Sequence, residues 1–190
     1  MICMLVVMIV LAVMSLINVI MKLASLGADV DTEKAISSYA HGWFHLMNAL
    51  ALGSGIVYLL KGYSKQASGF YKAFLLLTAL ANASFAVLVV VTKKDDSSDF
   101  YGIVFPGIIM GVEVIVLLIL SLWKDLGRTK TWTLYGIMMV ADVLFGVLFI
   151  TAIESVAVMC IVILTKLILD ATIALAIYAK YTDKAARGTR

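Results

Sequence analysis

Four ionisable side chains, Glu113, Asp142, Lys166 and Asp170, stand deep inside long apolar runs. A charge at the centre of a bilayer costs at least about 2.5–3.5 kcal/mol on insertion scales, so such residues face a protein interior or water and by default mark ion paths or proton relays. The three acids, joined by the amides of Asn82 and Asn48, have the chemistry to hold and release a cation or a proton. Lys166 is then an internal counter-charge that competes with the substrate ion.

The same residues also suit a static role. Lys166 and Asp170 are spaced i, i+4 and so share one helix face, where they can neutralise one another. Asp142, or Glu113 from another helix, could complete a network that only fixes packing. Asn18, Asn48 and Asn82 fit bridges between helices, which intramembrane amides supply at about 0.6 kcal/mol on average.

His41 and His45 are likewise i, i+4, on a stripe continued by Asn48 and Gly55. A pair of this kind holds a metal only if a further ligand joins it, and Asp29 and Asp31 are the nearest carboxylates in sequence. With just two histidines in the chain, hydrogen bonding to loops is the simpler expectation, and the sequence points to no particular cofactor. A pH-sensing role is open to them because imidazole titrates near neutrality. There is no GxSxG, HExxH or P-loop, so an enzyme is not expected.

The elements that carry these groups follow from composition. Of the 190 residues, 63% are hydrophobic and 14% charged, against about 45–50% and about 25% in a soluble domain. That excess excludes a soluble globule and a disordered chain alike. A helix crossing the hydrocarbon needs about 20 apolar residues, and runs of that kind cover 2–26, 42–60, 69–92, 102–123, 133–152 and 156–178. In lipid the backbone must satisfy itself, so these runs are helices. The expectation is an all-α polytopic membrane protein, one bundle domain over 1–190 with six transmembrane helices. The break at Ile153, Glu154 and Ser155 is the tightest, and reading through it would leave five spans. Asp31 or Thr32 offers a cap for an outward extension of the second helix.

Charge sorting supports an even count. Lys61, Lys65, Lys72, Lys124, Arg128, Lys130, Lys180, Lys184, Arg187 and Arg190 fall on one side. Lys22, Lys34, Lys93 and Lys94 fall on the other, among the acids Asp29, Asp31, Glu33, Asp95, Asp96, Asp99 and Glu154. The positive-inside rule then puts both termini in the cytoplasm. Orientation and anionic lipid account for the basic face, so no nucleic-acid partner is implied. The first run lacks the basic start of a signal peptide and is too long for one, which favours a span.

Polar groups recur once per helix at similar depth: Asn18 and Asn48, Asn82 and Glu113, Asp142 and Asp170. Residues 81–88 also align with 141–148, placing Asn82 on Asp142. Three repeated antiparallel hairpins would produce this pattern, as internal repeats do in transporter folds. Gly53, Gly55, Gly107, Gly111, Gly136 and Gly146 suit close helix contact. Trp43, Trp123, Trp132, Tyr71, Tyr101, Tyr178 and Tyr181 read as interfacial anchors. Cys3 and Cys160 read as small buried hydrophobes. The expected function is a small transporter or channel-like protein for a cation or protons. The rival is a non-catalytic accessory or assembly subunit of a larger membrane complex. Its partners are the lipid bilayer, a small ion or small-molecule substrate, and other membrane proteins or further copies of the chain.

Overall fold

Apolar side chains at helical spacing, with a single proline in the chain, leave little to interrupt a helix. The computed structural model describes residues 2–26, 31–61, 68–92, 100–123, 126–152 and 156–188. They form six helices: α1 (Ile2–Ala24), α2 (Thr32–Leu60), α3 (Ser68–Thr92), α4 (Phe100–Leu122), α5 (Arg128–Ala152) and α6 (Val156–Gly188). No strand occurs among the described residues. α5 and α6 are separate helices, so the five-helix alternative falls; Ile153, Glu154 and Ser155 lie outside the described residues.

The helices overrun the apolar runs where nothing stops them. α2 starts ten residues before residue 42 and α6 continues ten residues past Tyr178. Hydrophobicity marks where a helix meets apolar surroundings, whereas backbone hydrogen bonding continues through Glu, Lys and Ala beyond them. Asp31 occupies the cap position of α2 but makes no side-chain cap bond. α1 stops two residues early, closed by Ser25 Oγ donating to the Lys22 carbonyl at 2.7 Å. Pro106 falls in the second turn of α4.

Four helical stretches are long and apolar enough to cross a membrane: Ile2–Ala24, Lys34–Leu60, Gly69–Leu88 and Cys160–Thr182. In α4 the described apolar stretch, Gly107–Leu122, is shorter. Among the described residues α5 does not reach the same standard; it opens with Arg128, Lys130 and three threonines in its first turns and carries Asp142 at its middle.

Consecutive helices pack side by side, most closely α2 with α3 and α1 with α2. Their side chains build two main apolar clusters and a minor one of Tyr58 and Ala176. The larger includes Leu52, Leu75, Leu117, Met138 and Ile173. The smaller is aromatic, with Phe85 edge-on to Phe44 and Phe145 at centroid distances of 5.1 and 4.9 Å. α1 is peripheral: Met8, Leu11 and Ser15 are buried, while Val6, Val10, Val13, Ile17 and Ile20 face outward.

Several expectations about small and aromatic residues need correction. Among the described residues only Gly55 meets a close neighbour: a Cβ there would lie 2.7 Å from Met8 Cε and 3.1 Å from the Phe74 ring. Nothing lies within 4 Å of a Cβ added at Gly53, Gly107, Gly111, Gly136 or Gly146, so the GxxxG of α4 is not at a close helix crossing. Trp43, Trp123 and Tyr178 are exposed. Tyr71 instead turns inward onto Tyr58, 5.5 Å between rings. Tyr181 also turns inward, and its hydroxyl donates to the Leu126 carbonyl and lies 2.6 Å from the Thr131 hydroxyl. Cys3 and Cys160 are exposed free thiols, since each lies on the outward face of its helix.

Candidate functional site: a charged layer between two apolar clusters

On five helices one polar residue separates a contact to the aromatic cluster from a contact to the larger one. The order is Phe44, Asn48, Ala51 on α2; Ala79, Asn82, Phe85 on α3; Met110, Glu113, Val116 on α4; Met138, Asp142, Phe145 on α5; and Val162, Lys166, Leu169 on α6. Steps of three and four keep each trio on one helix face. Packing those faces together therefore stacks the polar residues into a single layer.

Within it, Glu113 Oε2 accepts from Asn82 Nδ2 at 2.8 Å and from Lys166 Nζ at 2.5 Å. Lys166 also pairs with Asp142 Oδ1. Three helices thus meet on one ammonium, and α3 joins through Asn82. Glu113 is fully buried, while the Lys166 side chain is 17% exposed and that of Asp142 is 7% exposed. Lys166 Nζ additionally lies 5.8 Å from the centroid of the Phe145 ring. Asp170, one turn beyond Lys166, is buried and faces Asp142 rather than Glu113. Its backbone carbonyl accepts from the Tyr135 hydroxyl at 3.3 Å, which ties α5 to α6 beside the charges.

The charge balance is unequal. Two carboxylates contact one ammonium, and Asp170 adds a third acid within the same layer. Buried ions are stable only when attraction and hydrogen bonds offset a desolvation penalty of several kcal/mol each. Glu113 Oε1 and Asp142 Oδ2 are buried and accept no hydrogen bond. The layer therefore has acceptor capacity left over, and its three carboxyl groups outnumber its one ammonium.

Two spaces adjoin it. A small inner cavity of about 30 Å³, room for about one water, is lined by Ser15, His45, Asn48, Asn82, Thr165 and Lys166 among others. A cleft of about 250 Å³ opens between α5 and α6, with Asp142, Lys166 and Asp170 in its lining and Val143, Val147 and Leu167 among its apolar walls. Among the described residues α5 and α6 are the least closely packed consecutive pair. Lys166, Phe145 and Val162 border both spaces, so the ammonium stands in the partition between them.

All six residues singled out for the site thus belong to this layer or its cavities: Glu113, Asp142, Asp170, Lys166, Asn82 and Asn48. Two of the three depth-matched pairs are brought together, Asn82 with Glu113 and Asp142 with Asp170. On α1 it is Ser15, not Asn18, that reaches the inner cavity. The histidines part company. His41 Nδ1–H donates to the Ser37 carbonyl of its own helix at 2.8 Å, whereas His45 lines the inner cavity. Among the described residues no three His, Cys, Asp or Glu side chains gather as metal ligands; Asp29 lies outside them. Sequence reasoning passed over Ser15, Thr165 and Tyr135, because an isolated hydroxyl in an apolar helix looks the same whether it bonds its own backbone or a site. Thr165 does the former, donating to the Ile161 carbonyl at 2.8 Å.

Comparison with known proteins found no matching family model, curated protein or solved structure. The reading of this site therefore rests on its own chemistry.

Proposed function

We propose that the chain is an integral membrane protein whose six helices all cross the bilayer, and that it moves a cation or protons through the charged layer. Asp142 and Asp170 are the exchanging carboxylates. Lys166 is the resident counter-charge, and Glu113 with Asn82 is the anchor that holds its ammonium. The observation that carries this reading is the surplus of acid: Asp142, facing Asp170 across the cleft lining, shares the single ammonium with Glu113. A proton or cation arriving at the Asp142–Asp170 pair competes with Lys166 for Asp142. Lys166 then stays on Glu113, so its charge never has to leave the protein.

Both termini lie on the cytoplasmic side in this proposal. The Tyr181 bonds to Leu126 and Thr131 support it, because they join the basic start of α5 to the basic end of α6 at one end of the bundle. The outward apolar faces, α1 above all, are then lipid-facing.

The test is flux in proteoliposomes. Asp142→Asn and Asp170→Asn abolish proton or cation flux while the purified variants keep their helix content and monodispersity. A second reading, an accessory subunit of a larger complex, is favoured by one observation: Glu113 is sealed completely against Asn82 and Lys166, as a packing network would be. Unchanged flux together with lowered stability in both variants selects that reading.

A further inference from the structure

The charged layer has an apolar cluster on either side along the helix axes. An ion approaching along those axes must pass close-packed Leu and Ile on one side, or the Phe44, Phe85 and Phe145 rings on the other. The cleft between α5 and α6 offers another approach, from the side. Its walls are aliphatic, and Val143, Val147 and Leu167 at its rim are exposed on the outer surface. Aliphatic walls leading to carboxylates do not suit a hydrated metal ion, which loses its water shell there without replacement. An acyl chain suits the walls but leaves Asp142 Oδ2, buried and without a hydrogen bond, as it is.

We propose that this cleft is a lateral binding site for a small lipophilic amine in its ammonium form, entering from the hydrocarbon region with its apolar body between α5 and α6 and its N–H groups directed at Asp142 and Asp170. The inference rests on the exchange function proposed above and names its substrate class. Three features select this occupant together. Glu113 and Asp142 share the one ammonium, which leaves Asp170 in the cleft lining as a partner for a further cation. Asp142 Oδ2 lacks a donor, which an N–H supplies and a quaternary ammonium does not. The cleft volume of about 250 Å³ falls just below the range of about 300–1,000 Å³ usual for drug-sized ligands, which limits the body to a small ring system or short chain. Lys166 and Phe145, which border both cleft and inner cavity, are where an ammonium would move on toward Asn48 and Asn82.

The probe is 2-(1-naphthyl)ethylamine, with 2-(1-naphthyl)ethanol and the trimethylammonium analogue as controls, against the full chain in phosphatidylcholine vesicles. Binding is read by naphthyl fluorescence and by saturation with unlabelled amine. The amine is expected to bind at least tenfold more tightly than either control. Gly146→Leu, which projects into the cleft from a position with open space around it, is expected to weaken the amine at least tenfold while the purified variant keeps its helix content and monodispersity. Asp170→Asn is expected to lower amine affinity without restoring binding of the alcohol. Equal binding of alcohol and amine, or an unchanged amine affinity in Gly146→Leu, overturns the proposal. Competition by phosphatidylethanolamine added to the vesicles also overturns it, in favour of a lipid headgroup. Flux that survives Asp142→Asn and Asp170→Asn refutes the exchange function itself, so the two failures are distinguishable.

Discussion

Replacing Lys166 by Met tests the charged layer most directly. The substitution keeps much of the aliphatic stem and removes the ammonium, leaving Glu113, with no exposed surface, and Asp142, with a side chain 7% exposed, next to each other without a cation. At an effective dielectric of about 20, unit charges 4 Å apart interact by about 4 kcal/mol, so each lost attraction is of that order. Relief of the lysine's own desolvation offsets part of this, and breaking a buried pair by removing one member costs about 3–5 kcal/mol net. The expected destabilisation of Lys166→Met therefore lies in that interval. The triple variant Lys166→Met, Glu113→Gln, Asp142→Asn removes the imbalance and is expected to return to within about 1–2 kcal/mol of wild type, because neutral groups of similar volume replace a buried ion network at little cost. Equilibrium unfolding in mixed micelles, followed by circular dichroism, measures all three proteins. A single variant within about 1 kcal/mol of wild type, or a triple variant no better than the single, refutes the idea that the ammonium holds the two acids in place.

Other outcomes follow from local geometry. Asn82→Ala removes one of the two donors on Glu113 Oε2 and is expected to cost about 0.6–2 kcal/mol, within the range of intramembrane hydrogen bonds, by the same unfolding measurement. Gly55→Val drives a branched side chain onto Met8 and Phe74 and is expected to cost about 1–3 kcal/mol; Met8→Ala in the same chain recovers part of it, whereas Gly111→Ala, with open space around it, is neutral or stabilising. Tyr181→Phe loses the bond to the Leu126 carbonyl and is expected to cost about 0.5–1.5 kcal/mol, with faster hydrogen exchange at the start of α5. In a chain with Cys3 and Cys160 replaced by Ser, a cysteine at Ser97 is labelled by an impermeant maleimide from outside intact cells and one at Thr189 is not; the reverse pattern inverts the topology.

Much of the helical architecture was legible because long apolar runs leave the backbone one economical way to satisfy its hydrogen bonds. The ends were not. Thr32 to His41 and Ala179 to Gly188 are polar yet helical, since helix propensity and hydrophobicity are separate properties. Facing directions were only partly legible. Tyr71 and Tyr181 look like Tyr178 in sequence, but neighbouring helices supply partners to the first two and none of the described contacts calls Tyr178 inward. Cys3 and Cys160 lie on outward faces for the same reason: an apolar residue in a chain this hydrophobic has no pattern that separates core from periphery.

By itself the sequence singled out Glu113, Asp142, Lys166 and Asp170, because ionic groups inside apolar helices need partners wherever the helices are packed. It also set their depth, through the 28 to 31 residues between paired polar groups. Which partner each would take was decided only by tertiary packing. The spacing of Lys166 and Asp170 suggests a pair on one helix, yet the ammonium reaches across to Glu113 and Asp142. Attraction depends on distance in three dimensions, and the helix faces that bring α4 and α5 onto Lys166, while leaving α5 and α6 parted beside Asp170, are fixed by the fit of their apolar neighbours.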